Sequence, residues 1–61
     1  MLIESIPAAL ADQRLDRVVS LIADISRAAT ATLIEIGGVT VDGVVATAGK
    51  VKMKEGQEVT V

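Results

Sequence analysis

The chain has 61 residues, 51% of them apolar and none aromatic, and carries a formal net charge of −2. It contains no His and no Cys, which removes imidazole bases, thiolate nucleophiles, disulfides and the usual zinc and iron–sulfur ligands. Without Phe, Tyr or Trp there is no ring for nucleobases to stack on, so a stacking-type single-strand binder is excluded.

Residues Leu2–Ile6 alternate loosely and end at Pro7, which cannot donate to a ladder. A short edge strand is expected there, followed by a turn through Pro7–Ala11. Asp12 is the expected N-cap of a first helix, because its carboxylate can accept from the free amides of the next turn. Leu15, Val18, Val19 and Ile22 then fall at i, i+3, i+4 and i+7, one apolar helical face. At 100° per residue, Arg14, Arg17 and Leu21 share one flank of that face, and Asp16, Ser20 and Ala23 lie on the other side.

Ser26 is the expected N-cap of a second helix, Arg27 to Ile36, closed by Gly37 or Gly38 in the left-handed conformation. Its inward face is Thr30, Leu33, Ile34 and Gly37. Arg27 stands in the first turn, where the helix dipole favours anions, so anion capture explains it better than helix stability does. After the glycines the period drops to two. Val39 and Val41 flank Thr40, Asp42-Gly43 is a hairpin signal, and Val44-Val45-Ala46 is the return strand. Lys50, Lys52 and Lys54 alternate with Val51 and Met53, so they share a face if the stretch is a strand. Glu55-Gly56 turns into a final strand, Val59-Thr60-Val61. The chain stops on that strand, as a module cut from a longer protein would.

Residues 1–61 thus form one small α+β domain, two helices packed on a short, mostly antiparallel sheet. So short a chain buries only about 60% of the surface its unfolded form exposes. The aliphatic core must therefore supply nearly all the stability. No uncharged stretch approaches the ~20 residues needed to span a bilayer. The start, Met1-Leu2-Ile3-Glu4, lacks the basic and apolar regions of a signal peptide. The expectation is a cytoplasmic protein with no membrane partner, no metal and no cofactor.

Two constellations carry chemistry. Asp16 between Arg14 and Arg17 has the residue types of a nucleophile or base. It reads more simply as a first-turn carboxylate favoured by the helix dipole and paired with an arginine. The cations Arg14, Arg17, Arg27, Lys50 and Lys52 are the set that could hold phosphates, as forks and point charges, with Glu35, Glu55 and Glu58 available to neutralise the lysines. Gly37-Gly38 lacks the spacing and the Lys-Ser/Thr of a phosphate-binding P-loop. Ile25 and Ile36 are expected at half-exposed positions.

Five pieces occur in order: Arg14-Leu15-Asp16-Arg17, Ser26-Arg27, Leu33-Ile34-Glu35-x-Gly37, Val39-x-Val41-Asp42-Gly43 and Val51-Lys52-Met53-Lys54-Glu55-Gly56. Together they resemble the S4 RNA-binding domain, or alpha-L motif. The lead-in from Ile6-Pro7 to Gln13 is similar to the start of bacterial large-subunit-type pseudouridine synthases, where this domain precedes the catalytic domain. The resemblance implies an RNA-binding face built from the two helices and the loop beside the hairpin. It implies Arg14, Arg17, Ser26 and Arg27 as helical contacts, with Lys50 and Lys52 as flanking charge. The implied partners are structured RNA, ribosomal by analogy, and a C-terminal catalytic domain of the parent protein, an isomerase acting in rRNA modification.

Pseudouridine synthases of this kind carry a catalytic Asp in a His-Arg-Leu-Asp context, but here Gln13 stands in the His place. Asp16 is therefore given no catalytic role, and the chain itself is expected not to be an enzyme. Asp42 and Val44 stand where the family often has Asn and Lys, and Thr30 replaces a small apolar residue. An alternative is a protein-docking module with the same fold and little RNA affinity.

Overall fold

A computed structural model describes residues 2–61. Strand β1 is Ile3–Ser5. A 3-10 turn, Ala8–Leu10, follows Pro7. The helices are α1, Leu15–Ala23, and α2, Arg27–Glu35. The hairpin strands are β2, Thr40–Val41, and β3, Val44–Val45, and the last strand is β4, Glu58–Thr60. The strands lie in the order β1-β4-β2-β3 and every pairing is antiparallel, with Ile3 opposite Thr60, Val41 opposite Val59 and Thr40 opposite Val45. This is the α+β architecture expected, two helices on a small antiparallel sheet, with β1 at one edge.

The core explains how an aliphatic chain manages without rings. Ile6, Leu15, Val18, Val19, Ile34, Val39, Met53 and Val59 are buried together, at about 1.5–3 kcal/mol for each large side chain. Three of them, Ile6, Val39 and Met53, come from outside the helices and strands. Met53 suits such a place, since its unbranched chain fills irregular gaps.

α2 follows its sequence signals closely. Ser26 Oγ accepts from the Ala29 amide at 3.1 Å. At the other end Gly37 has φ +79°. The Gly37 amide donates to the Ile34 carbonyl at 3.1 Å and the Gly38 amide to Leu33 at 2.9 Å, the paired closure of a Schellman motif. Thr30 is fully buried, and its hydroxyl donates to the Ser26 carbonyl at 2.9 Å. The polar replacement on the inner face is thus satisfied rather than stranded. Asp42 and Gly43 both take positive φ, +50° and +81°, as a tight hairpin turn requires. Asp42 Oδ1 also accepts from the Glu58 amide at 2.9 Å, so this acid helps join the hairpin to β4.

Two expectations need correction. Asp12 does not cap α1. It adopts φ +66°, and its amide donates to the Met53 carbonyl at 2.7 Å. The helix begins three residues later, at Leu15, and the carboxylate serving its first turn is Asp16, which accepts from the Arg17 amide at 2.7 Å. The stretch from Lys50 to Lys54 is not a strand. It bonds to the loop before α1 through Leu15 amide to Val51 carbonyl and Met53 amide to Gln13 carbonyl, each 2.8 Å, with one isolated bridge between Arg14 and Lys52. That loop turns into a helix at once, so the ladder cannot extend.

Candidate nucleic-acid interface

The site is built where α1 begins, where α2 begins, and where the loop 47–50 crosses them. Arg14 precedes α1 in extended conformation, φ −66° and ψ 146°. Its guanidinium Nη2 lies 2.8 Å from Asp16 Oδ2. Both oxygens of Asp16 are therefore engaged, one on the Arg17 amide and one on Arg14. The loop is clasped to the same residue from below, because the Asp16 amide donates to the Gly49 carbonyl at 2.9 Å. Gly49 has to be small here, since a Cβ on it would stand 2.8 Å from Asp16 Cβ.

α2 is set against α1 by the link between them. Asp24 takes φ +54° and ends α1. The Ser20 hydroxyl donates to the Ile25 carbonyl at 2.7 Å, and the Ile25 amide donates back to the Ser20 carbonyl at 3.2 Å. This pins the entry to α2, so Ser26 caps it and Arg27 occupies its first turn. No acid accompanies Arg27 in that turn.

Two concavities result. A cleft of about 490 Å³ lies between α2 and the loop 47–50, lined by Arg14, Asp16, Arg27, Ala31, Glu35 and Lys50 among others. A second, of about 250 Å³, runs along α1 and is lined by Arg14, Asp16, Arg17, Ser20, Leu21 and Arg27. Arg14, Asp16 and Arg27 border both, forming the ridge between them. Arg14–Asp16 is the one ion pair among the described residues. The Arg17, Arg27 and Lys50 charges are thus free to meet an anion.

Of the residues singled out from sequence, Arg14, Arg17, Arg27 and Lys50 therefore meet around two adjoining clefts. Ser26 stands between Arg27 and the end of α1, with its oxygen committed to Ala29. Lys52 lines neither cleft, although its backbone bridges to Arg14. Asp16 and Ser20, placed by the helical wheel away from Arg14 and Arg17, join them on the second cleft. Ala31 and Gly49 line the first cleft too, and small side chains there leave it open.

The chemistry available on these clefts is cationic. Each oxygen of Asp16 already accepts a hydrogen bond, and among the described residues no group of acids is placed to hold a metal ion. Nor is any helix there long and apolar enough to cross a membrane. A third concavity, about 230 Å³ beside β3, is lined by uncharged residues including Val44, Val45, Val51 and Gln57, and it adjoins the first cleft at Thr47 and Ala48. The family model described as the S4 domain matches residues 13–59, a span that holds both helices and every cation of the two clefts. No curated protein matches the chain.

Proposed function

Because the chain belongs to the S4 domain family, whose members are generally RNA-binding and non-catalytic, we propose that it grips structured RNA by its backbone through Arg14, Arg17, Arg27 and Lys50. Ser26 and Lys52 flank that contact. The reading extends to a role as the accessory domain of a pseudouridine synthase, placing ribosomal RNA for a catalytic domain in the same protein.

The observation that carries it is the convergence of arginines from the starts of two helices, and a lysine from a loop, on two adjoining clefts. Guanidinium forks match phosphate geometry, and recognition by shape and phosphates needs no stacked ring. The overall charge of −2 keeps the affinity modest and makes it depend on this local cluster.

The test is titration of the chain with a base-paired RNA hairpin at several salt concentrations. Roughly 3–5 phosphate contacts give a log–log salt slope of about −2 to −4. No binding at low salt refutes the proposal.

The docking alternative draws on exposed Ile36 and Val44, 73% and 70% accessible. It predicts self-association in sedimentation that Ile36→Lys abolishes, and no RNA titration.

A further inference from the structure

We propose that Asp16 is a positioning residue for RNA binding, holding Arg14 in the orientation that meets a phosphate. The inference rests on the RNA-binding reading above and goes beyond it, because it assigns a favourable role to an acid on a face that should attract a polyanion.

Three observations converge. Asp16 lies on the ridge shared by both cationic clefts, where a carboxylate is the wrong charge for an RNA backbone. Its side chain is only 17% accessible against 52% for Arg14, so the acid is held down and the arginine stands up. Its two oxygens are divided between two tasks, the Arg17 amide at 2.7 Å and the Arg14 guanidinium at 2.8 Å. The first anchors the carboxylate to the helix end. The second lets that anchored carboxylate fix a long side chain which would otherwise sample many rotamers. A backbone hydrogen bond to Gly49 and a Cβ approach that only glycine permits keep Asp16 itself from moving.

A guanidinium carries five N–H donors. Engaging one of them through Nη2 leaves the rest for a phosphate. Rotamer freedom lost before binding is not lost again on binding, which is the general benefit of preorganisation. Against this stands the repulsion between Asp16 and the phosphates, partly cancelled because its charge is already paired.

The two effects have opposite signs, so a neutral isostere separates them. Asp16→Asn removes the negative charge and keeps an oxygen for the Arg17 amide. On charge alone it tightens RNA binding; if Asp16 positions Arg14, it weakens it. The experiment is a double-mutant cycle of Asp16→Asn and Arg14→Ala, read by titration with the same RNA hairpin. Arginine side-chain NMR of the free chain gives a second readout.

The expected result is about threefold weaker binding for Asp16→Asn in the wild-type background, the scale of one exposed ion pair. In the Arg14→Ala background the same change leaves binding equal or tighter. The Arg14 Nε–H resonance is expected to shift and broaden in Asp16→Asn. Tightening in both backgrounds, or equal weakening in both, overturns the proposal, the second outcome pointing to a purely structural role. If the wild-type chain binds no RNA, the proposed function itself fails and this inference with it.

Discussion

Gly49→Ala tests how tightly the loop is clasped to the two helices. The added methyl would stand 2.8 Å from Asp16 Cβ and 3.2 Å from Ile34 Cδ1. Asp16 Cβ is tied to the backbone of α1 and cannot swing aside, so the loop must retreat. Retreat lengthens the 2.9 Å bond from the Asp16 amide to the Gly49 carbonyl. Overpacking of this kind costs about 1–3 kcal/mol, and loss of the hydrogen bond adds roughly 1. The smaller unfolded-state entropy of alanine returns about 0.4–1 kcal/mol. The net expectation is a loss of roughly 1–3 kcal/mol, against a total near 3–9 kcal/mol for a domain of this size.

At about 4–8 °C per kcal/mol, the melting temperature should fall by roughly 4–24 °C. Urea and thermal unfolding followed by far-UV circular dichroism would show it; the chain has no aromatic residue to report by fluorescence. Retreat would also carry Lys50 away from the cleft, so RNA affinity should fall with stability. A midpoint at or above that of the wild type would refute the reasoning, because it would mean that the loop yields freely and the close approach constrains nothing.

Ser26→Ala removes the acceptor for the Ala29 amide and should cost about 1 kcal/mol, read as a lower urea midpoint with unchanged m-value. Arg27→Ala should weaken RNA binding and make the salt slope shallower by about one unit. Lys54→Ala serves as its counterpart: Lys54 lines neither cationic cleft, so its slope should stay closer to that of the wild type.

Much of this fold is legible in the sequence because its signals are local. Ser26, Gly37 and the Asp42-Gly43 pair each specify a backbone conformation at their own position, and α2 and the hairpin fall where they indicate. The apolar spacing from Leu15 to Ile22 likewise predicts the buried face of α1. The departures arise where one segment's structure depends on another distant in sequence. Asp12 has the chemistry of a cap, but the Met53 carbonyl accepts from its amide, its backbone stands at φ +66°, and the helix starts only at Leu15. The alternation from Lys50 to Lys54 holds only around Met53, buried between exposed lysines, while Val51 is itself 51% exposed. Its ladder partner, however, is the brief loop before α1, and no periodicity within the segment reveals that.

The candidate site divides in the same way. Arg14, Arg17 and Arg27 are predictable as a set because helix starts place them. Their meeting with Lys50 and not with Lys52 follows from the path of a loop, and the pairing of Asp16 with a neighbouring arginine falls on Arg14 and gains its meaning from the clefts on either side.

The central claim is that RNA meets the face where the two helices begin. An amide chemical-shift titration of the chain with a base-paired RNA hairpin tests it most directly. Shifts concentrated at Arg14, Arg17, Arg27 and Lys50, with Val44 and Val45 of the far strand unmoved, are the predicted result. Shifts spread evenly over the chain, or concentrated at β3, would contradict it.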